Sequence, residues 1–191
     1  QRIRKCSEFE NKSVLDNEVE IDETFIGGKN KYRHANKKVK YSQGRSCKYK
    51  TPVLGMIERK RKVNAYVVST TTANDLIPKI LRTVEILSTV YTDEWGAYNN
   101  LNNFFDHQVV NHGKGEYVKG NAHTNTIENF WSNLKRGIVG VYRVVSTKHL
   151  QLYVNEFVLR RNIIPMKPNE RVLHLLLNIK GSRLKYKELI A

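Results

Sequence analysis

The sequence predicts one mixed α/β domain, an antiparallel meander of three strands joined by two parallel strands and flanked by helices. Three observations lead there. Period-2 apolar runs fill the first part of the chain, strand-like and helix-like runs alternate after it, and 191 residues suffice for one domain with a real core but not comfortably for two.

Residues 18–26, EVEIDETFI, alternate Val19, Ile21 and Phe25 with acidic neighbours, so Glu20, Asp22 and Thr24 share one face of a first strand. VLGMIER and VNAYVVST are β-rich runs parted by the charged turn KRK, the pattern of a hairpin. In TANDLIPKILRTVEIL, the residues Leu76, Ile77, Ile80, Leu81, Val84 and Leu87 recur at helical spacing, with Asn74 or Asp75 as cap. STVYTDEW reads as a fourth strand ending near Asp93, GAYNNLNN as a short helix and HQVVNH as a fifth strand. After the glycine-punctuated GKGEYVKGN, residues 123–136 set Ile127, Trp131 and Leu134 on one stripe behind Thr124 or Asn125 as N-cap. A helix follows over 146–162, with the stripe Leu150, Val154, Phe157 and Val158, and the tail is partly helical through ERVLHLLLNI.

Composition narrows the function classes. Thirty-three Lys and Arg against 18 Asp and Glu leave a formal charge of +15, which points to a polyanionic partner, nucleic acid first. A merely basic protein or a membrane-surface binder fits the charge alone as well. No apolar run approaches the roughly 20 residues that span a bilayer. Cys6 and Cys47 lie far apart with no zinc-like spacing, which makes an intracellular location the default, bacterial cytoplasm or eukaryotic nucleus.

On so basic a chain, carboxylates embedded in apolar strands need a reason. Asp22 sits within the first strand and Asp93 follows TVYT, where a parallel strand would end. If those strands are neighbours, both carboxylates converge at the carboxyl edge of the sheet. Glu128, on a helix across that edge, completes a three-carboxylate cluster suited to Mg²⁺ or Mn²⁺. Two such ions, roughly 4 Å apart, activate a water or 3′-hydroxyl and stabilise the leaving oxygen in a phosphodiester displacement. Seven residues of helix advance about 10 Å and return to nearly the same face, so Lys135 shares Glu128's face and can meet a neighbouring phosphate. Structural roles compete at each position: a turn cap for Asp93, an exposed ion pair for Asp22, a solvated helix position for Glu128, and for Lys135 and Arg136 a cationic last turn favoured by the helix dipole.

Five blocks, EIDETFIGG, YTDEWGAY, VNHGKGEYV, HTNTIENFWSNLKRG and HLQLYVNEFVLRRN, in this order resemble the DDE transposase domain of the bacterial insertion-sequence family related to eukaryotic Merlin elements. The resemblance implies an RNase H-like fold over residues 18–162, with the catalytic and metal-binding triad on Asp22, Asp93 and Glu128, and it implies the lysine matched by Lys135. It implies cleavage at transposon ends and 3′-hydroxyl transfer into target DNA, with divalent metal and a homodimer or larger assembly on the DNA. An end-recognition segment commonly precedes such a domain, and residues 1–17 are expected to be its remnant or a linker. Residues 163–191 are expected to form a helical extension.

Residues 29–50 hold nine Lys or Arg, three Tyr and no acid, a basic excursion that would clamp DNA backbone through Lys37, Lys38, Lys40, Arg45 and Lys48, or else a solvated loop. His112 and His123 flank the glycine-rich loop and are candidates for the scissile phosphate or, equally, for loop hydrogen bonding. Trp131 reads as core before base platform. The rival functions are an RNase H-like nuclease or resolvase that does not join strands, and a non-catalytic DNA-binding protein.

Overall fold

The computed structural model describes residues 2–28, 34–40, 49–110, 123–179 and 185–187. Its centre is a five-stranded sheet of β1 (Glu18–Ile26), β2 (Thr51–Glu58), β3 (Val63–Val67), β4 (Thr89–Thr92) and β5 (Asp106–Val109), in the order β3-β2-β1-β4-β5. The first three strands pair antiparallel and the last two add in parallel, as expected.

Helices cover both faces, which is why β2 is buried almost end to end. On one face α2 (Ala73–Thr83) packs Leu76 and Ile80 against Val19 and Ile21 of β1 and Leu54 and Met56 of β2. On the other, α3 (Asn125–Gly137) and α4 (Thr147–Asn162) pack Ile127, Trp131, Leu134, Leu150 and Val154 against Val53, Ile57 and Ala65. Alternation along the strands sends successive side chains to opposite faces. A π-helical turn, Ile138–Tyr142, links α3 to α4.

Two local expectations are corrected. The apolar stripe read to Leu87 leaves the helix at Thr83: Val84 turns extended and bridges to Leu15, and Leu87 sits at φ 71° with its side chain 83% exposed. GAYNNLNN forms two 3-10 turns, Gly96–Tyr98 and Leu101–Asn103. A short α1 (Arg2–Cys6) and the 3-10 turn Ser7–Lys12 pack against α4 and β3, with Ser7, Glu10 and Asn11 buried. Side-chain amides also close the free edge of β3: Val63 N–H donates to Asn162, Ala65 N–H to Asn11 and Val67 N–H to Gln151. An edge strand left open would template pairing with other chains. The helix α5 (Pro168–Ile179) has no fully buried side chain.

Candidate active site

The site grows from the period-2 alternation of β1. Asp22 stands opposite Gly55 of β2, and the missing side chain there leaves room for an indole. A Cβ at Gly55 would lie 2.4 Å from Cζ2 of Trp131. Trp131 fills that space, 4% exposed, and its Nε1–H donates to Asp22 Oδ2 at 3.0 Å. The tryptophan is core, as expected, and it also aims a carboxylate.

Asp93 reaches the same level from β4. Glu20 pairs with Tyr91 in the parallel register of β1 and β4, and two residues further along the chain from each are Asp22, within β1, and Asp93, just past the end of β4. Asp93 is 8% exposed, and its Oδ1 accepts the Trp95 N–H at 3.0 Å. Both aspartates act on one buried phenol: Tyr98 is held well above its usual pKa by burial first, then by the charge and hydrogen bond of Glu23, then by Asp22 and Asp93. Its hydroxyl donates to Glu23. Glu23 lies on the opposite face of β1 from Asp22.

Glu128 occupies the first turn of α3 and is exposed. Among the described residues no three Asp, Glu, His or Cys side chains stand close enough to grasp one ion, so the three-carboxylate cluster is not closed as a cage. Lys135, two turns on, is exposed but electrostatically tied to the site. Desolvation pulls its pKa down, Asp22 opposes that, and Lys50 adds to it. Lys50, at the end of the basic excursion, therefore faces the same region. Lys38 and Lys40 are exposed, Lys37 ends the 3-10 turn Ala35–Lys37, and Arg45, Lys48 and His112 lie outside the described residues. His123 turns Nδ1 toward Glu20, at 3.3 Å from Oε1.

Glu20 was not singled out by sequence reasoning, although its face was. It is fully buried and accepts four hydrogen bonds, from Arg59 Nε–H at 2.9 Å, Thr126 N–H at 2.9 Å, Thr126 Oγ1–H at 2.9 Å and Ile127 N–H at 3.0 Å. A carboxylate has about four acceptor sites, so this one is saturated. Arg59, read only as the last residue of a β-rich run, lies 4.1 Å over the Tyr91 ring and donates to the His123 carbonyl at 2.9 Å. An acid alternating with Asp22 on a strand was the available signal; its burial was not visible in one sequence.

This strand order, three antiparallel strands with two more added in parallel beside β1 and helices on both faces, is that of the RNase H-like class. Within that class the chain belongs to the ISXO2-like transposase domain family, whose profile matches residues 14–162. It is similar to an uncharacterized protein in transposable element ISH50 of Halobacterium salinarum, 31% identical over 173 residues that make up 85% of this chain and 58% of that protein. The chain thus spans little more than half the length of that relative. It is also similar to an uncharacterized transposase-like protein of Haemophilus influenzae, 32% identical over 124 residues, 64% of this chain and 98% of the other. Among solved structures, the HTLV-2 integrase catalytic core, determined with magnesium in a trimeric form, aligns with a TM-score of 0.45 and 14% identity over 82% of this chain and 92% of that one.

Proposed function

We propose that the chain is the catalytic domain of a DNA transposase that cuts phosphodiesters at transposon ends and joins the freed 3′-hydroxyl to target DNA. The observation that supports this most is the acidic pair: Asp22 of β1 and Asp93 at the exit of β4 each lie two residues beyond the paired Glu20 and Tyr91 of these parallel strands, in a chain carrying +15, within a transposase family. A basic surface gathers the polyanion, and an acidic pair within it is suited to a cation.

The donor set fits a hard divalent ion. Mg²⁺ is commonly held by one or two carboxylates, with substrate phosphate and water completing its shell. Asp22 and Asp93 would hold it, with Glu128 joining from α3, and two Mg²⁺ or Mn²⁺ ions are the expected number. When bound, the metal supplies activation of a water or 3′-hydroxyl and stabilises the charge developing on the phosphate oxygens.

The chain's own residues provide orientation and binding. Trp131 N–H holds Asp22, and the backbone N–H of Trp95 holds Asp93. Tyr98 stays protonated at neutral pH and engages Glu23 away from the pair. Lys135 and Lys50 contact phosphates beside the scissile one, and Lys37, Lys38, Lys40, Arg45 and Lys48 extend the cationic track. A homodimer or larger assembly on paired ends is the expected working form. No helix among the described residues is long and apolar enough to cross a membrane.

The test is Mn²⁺-dependent nicking of supercoiled plasmid, together with joining of a 3′-hydroxyl oligonucleotide. Asp22→Asn and Asp93→Asn should each abolish both reactions while the melting temperature and DNA affinity stay near the parent's. Activity retained in either variant would contradict the reading, and nicking without joining in the parent would mark the domain as a nuclease.

A further inference from the structure

Two contacts tie α3 to β1, and the candidate ligand Glu128 lies between them. At one, the Glu20 carboxylate accepts the Thr126 and Ile127 N–H groups of the first turn; at the other, Trp131 donates to Asp22. Glu20 and Asp22 are two strand residues apart, about 7 Å at 3.3 Å each, and Ile127 and Trp131 are four helix residues apart, about 6 Å at 1.5 Å each. The spacings match only when the helix runs alongside the strand in this register. A slip of one helical turn would displace Glu128 by about 5.4 Å.

From this geometry we infer that Glu20, held by Arg59, is a positioning residue that fixes the height of α3 above β1 and so sets where Glu128 stands relative to Asp22. The inference rests on the reading of Glu128 as a third ligand. The Glu20 side chain has donors on both of its oxygens, Arg59 and the Thr126 hydroxyl on Oε1 and two backbone N–H groups on Oε2. An amide accepts on one side only, so glutamine at this position must surrender one set. Arg59 is in turn fixed by its stacking on Tyr91 and its bond to the His123 carbonyl. The hub therefore joins β1, β4, the end of β2 and the entry to α3.

The experiment compares the full chain with its Glu20→Gln, Arg59→Lys and Glu128→Gln variants, by amide hydrogen exchange and by Mn²⁺-dependent plasmid nicking. In Glu20→Gln, the glutamine turns its oxygen to the Arg59 guanidinium, since its NH2 group there would face a cation, so the NH2 group meets the Thr126 and Ile127 N–H groups and their exchange should accelerate relative to the α4 amides. Nicking should fall roughly ten- to a hundredfold, the usual effect of losing a residue that orients a ligand, at unchanged DNA affinity. Unchanged exchange, faster exchange with unchanged nicking, or a loss of DNA affinity that accounts for the nicking loss would each overturn the inference. If Glu20→Gln does not fold, Arg59→Lys is read by the same criteria, since lysine keeps a charge beside Glu20 but cannot also reach His123. Full nicking by Glu128→Gln would instead remove Glu128 from the site, an outcome distinct from failure of the hub.

Discussion

Asp22 is a useful carboxylate because of a residue that has no side chain. Gly55 faces it across the β1/β2 ladder, and Trp131 enters the space and donates to Asp22. Gly55→Ala would push a methyl group to 2.4 Å from the indole, so the ring must move in a core with little slack. We expect a loss of about 1–3 kcal/mol in urea unfolding, typical of overpacking, together with slower nicking because the bond to Asp22 is disturbed. Loss of stability with nicking unchanged would show that Asp22 does not depend on Trp131 for its orientation. Lys135 is held by the same surroundings: desolvation lowers its pKa, Asp22 opposes that and Lys50 adds to it, so its ammonium lies within electrostatic reach of both.

Among the elements, α3 carries the candidate ligand and α4 steadies the fold around it. Arg4 of α1 donates to Glu156 of α4 at 2.6 Å and lies 4.1 Å over the Tyr153 ring, so the segment ahead of β1 is tied to the domain. Burial pushes the Glu156 pKa up, but hydrogen bonds from Tyr142 and Arg4 and the charges of Arg160 and Arg4 outweigh it, and the net value lies below the ordinary 4.5. A carboxylate with a depressed folded pKa stabilises fully above its unfolded value and loses that contribution as pH falls through the folded one. The melting-temperature gap between parent and Glu156→Gln should therefore be constant above about pH 4.5 and narrow below it; a gap independent of pH would contradict this. The strands and the long helices were legible because their periodicity comes from burying a face, as in Ile127, Trp131 and Leu134. The end of α2 was not, because Val84 and Leu87 continue the apolar spacing after the backbone has turned to bridge Leu15. Nor was the packing of the N-terminal segment, since Asn11, Asn155 and Asn162 are polar residues whose partners lie far off in sequence.

Across the whole molecule, opposite demands are kept apart. A charge of +15 suits a nucleic-acid partner, while Asp22 and Asp93 stand within β1 and just past β4 and Glu20 is saturated beneath α3. Asp22 and Asp93 could be singled out in the sequence because acids at the middle and end of apolar strands are costly without a purpose. The role of Glu20 was hidden because only the fold reveals that α3 begins directly above it. The central claim is that Asp22 and Asp93 form one metal site, and the most direct measurement is Mn²⁺ titration followed by calorimetry and thermal shift in the parent, Asp22→Asn and Asp93→Asn. The account predicts binding and stabilisation in the parent that vanish in both variants; an equal response from all three proteins would contradict it.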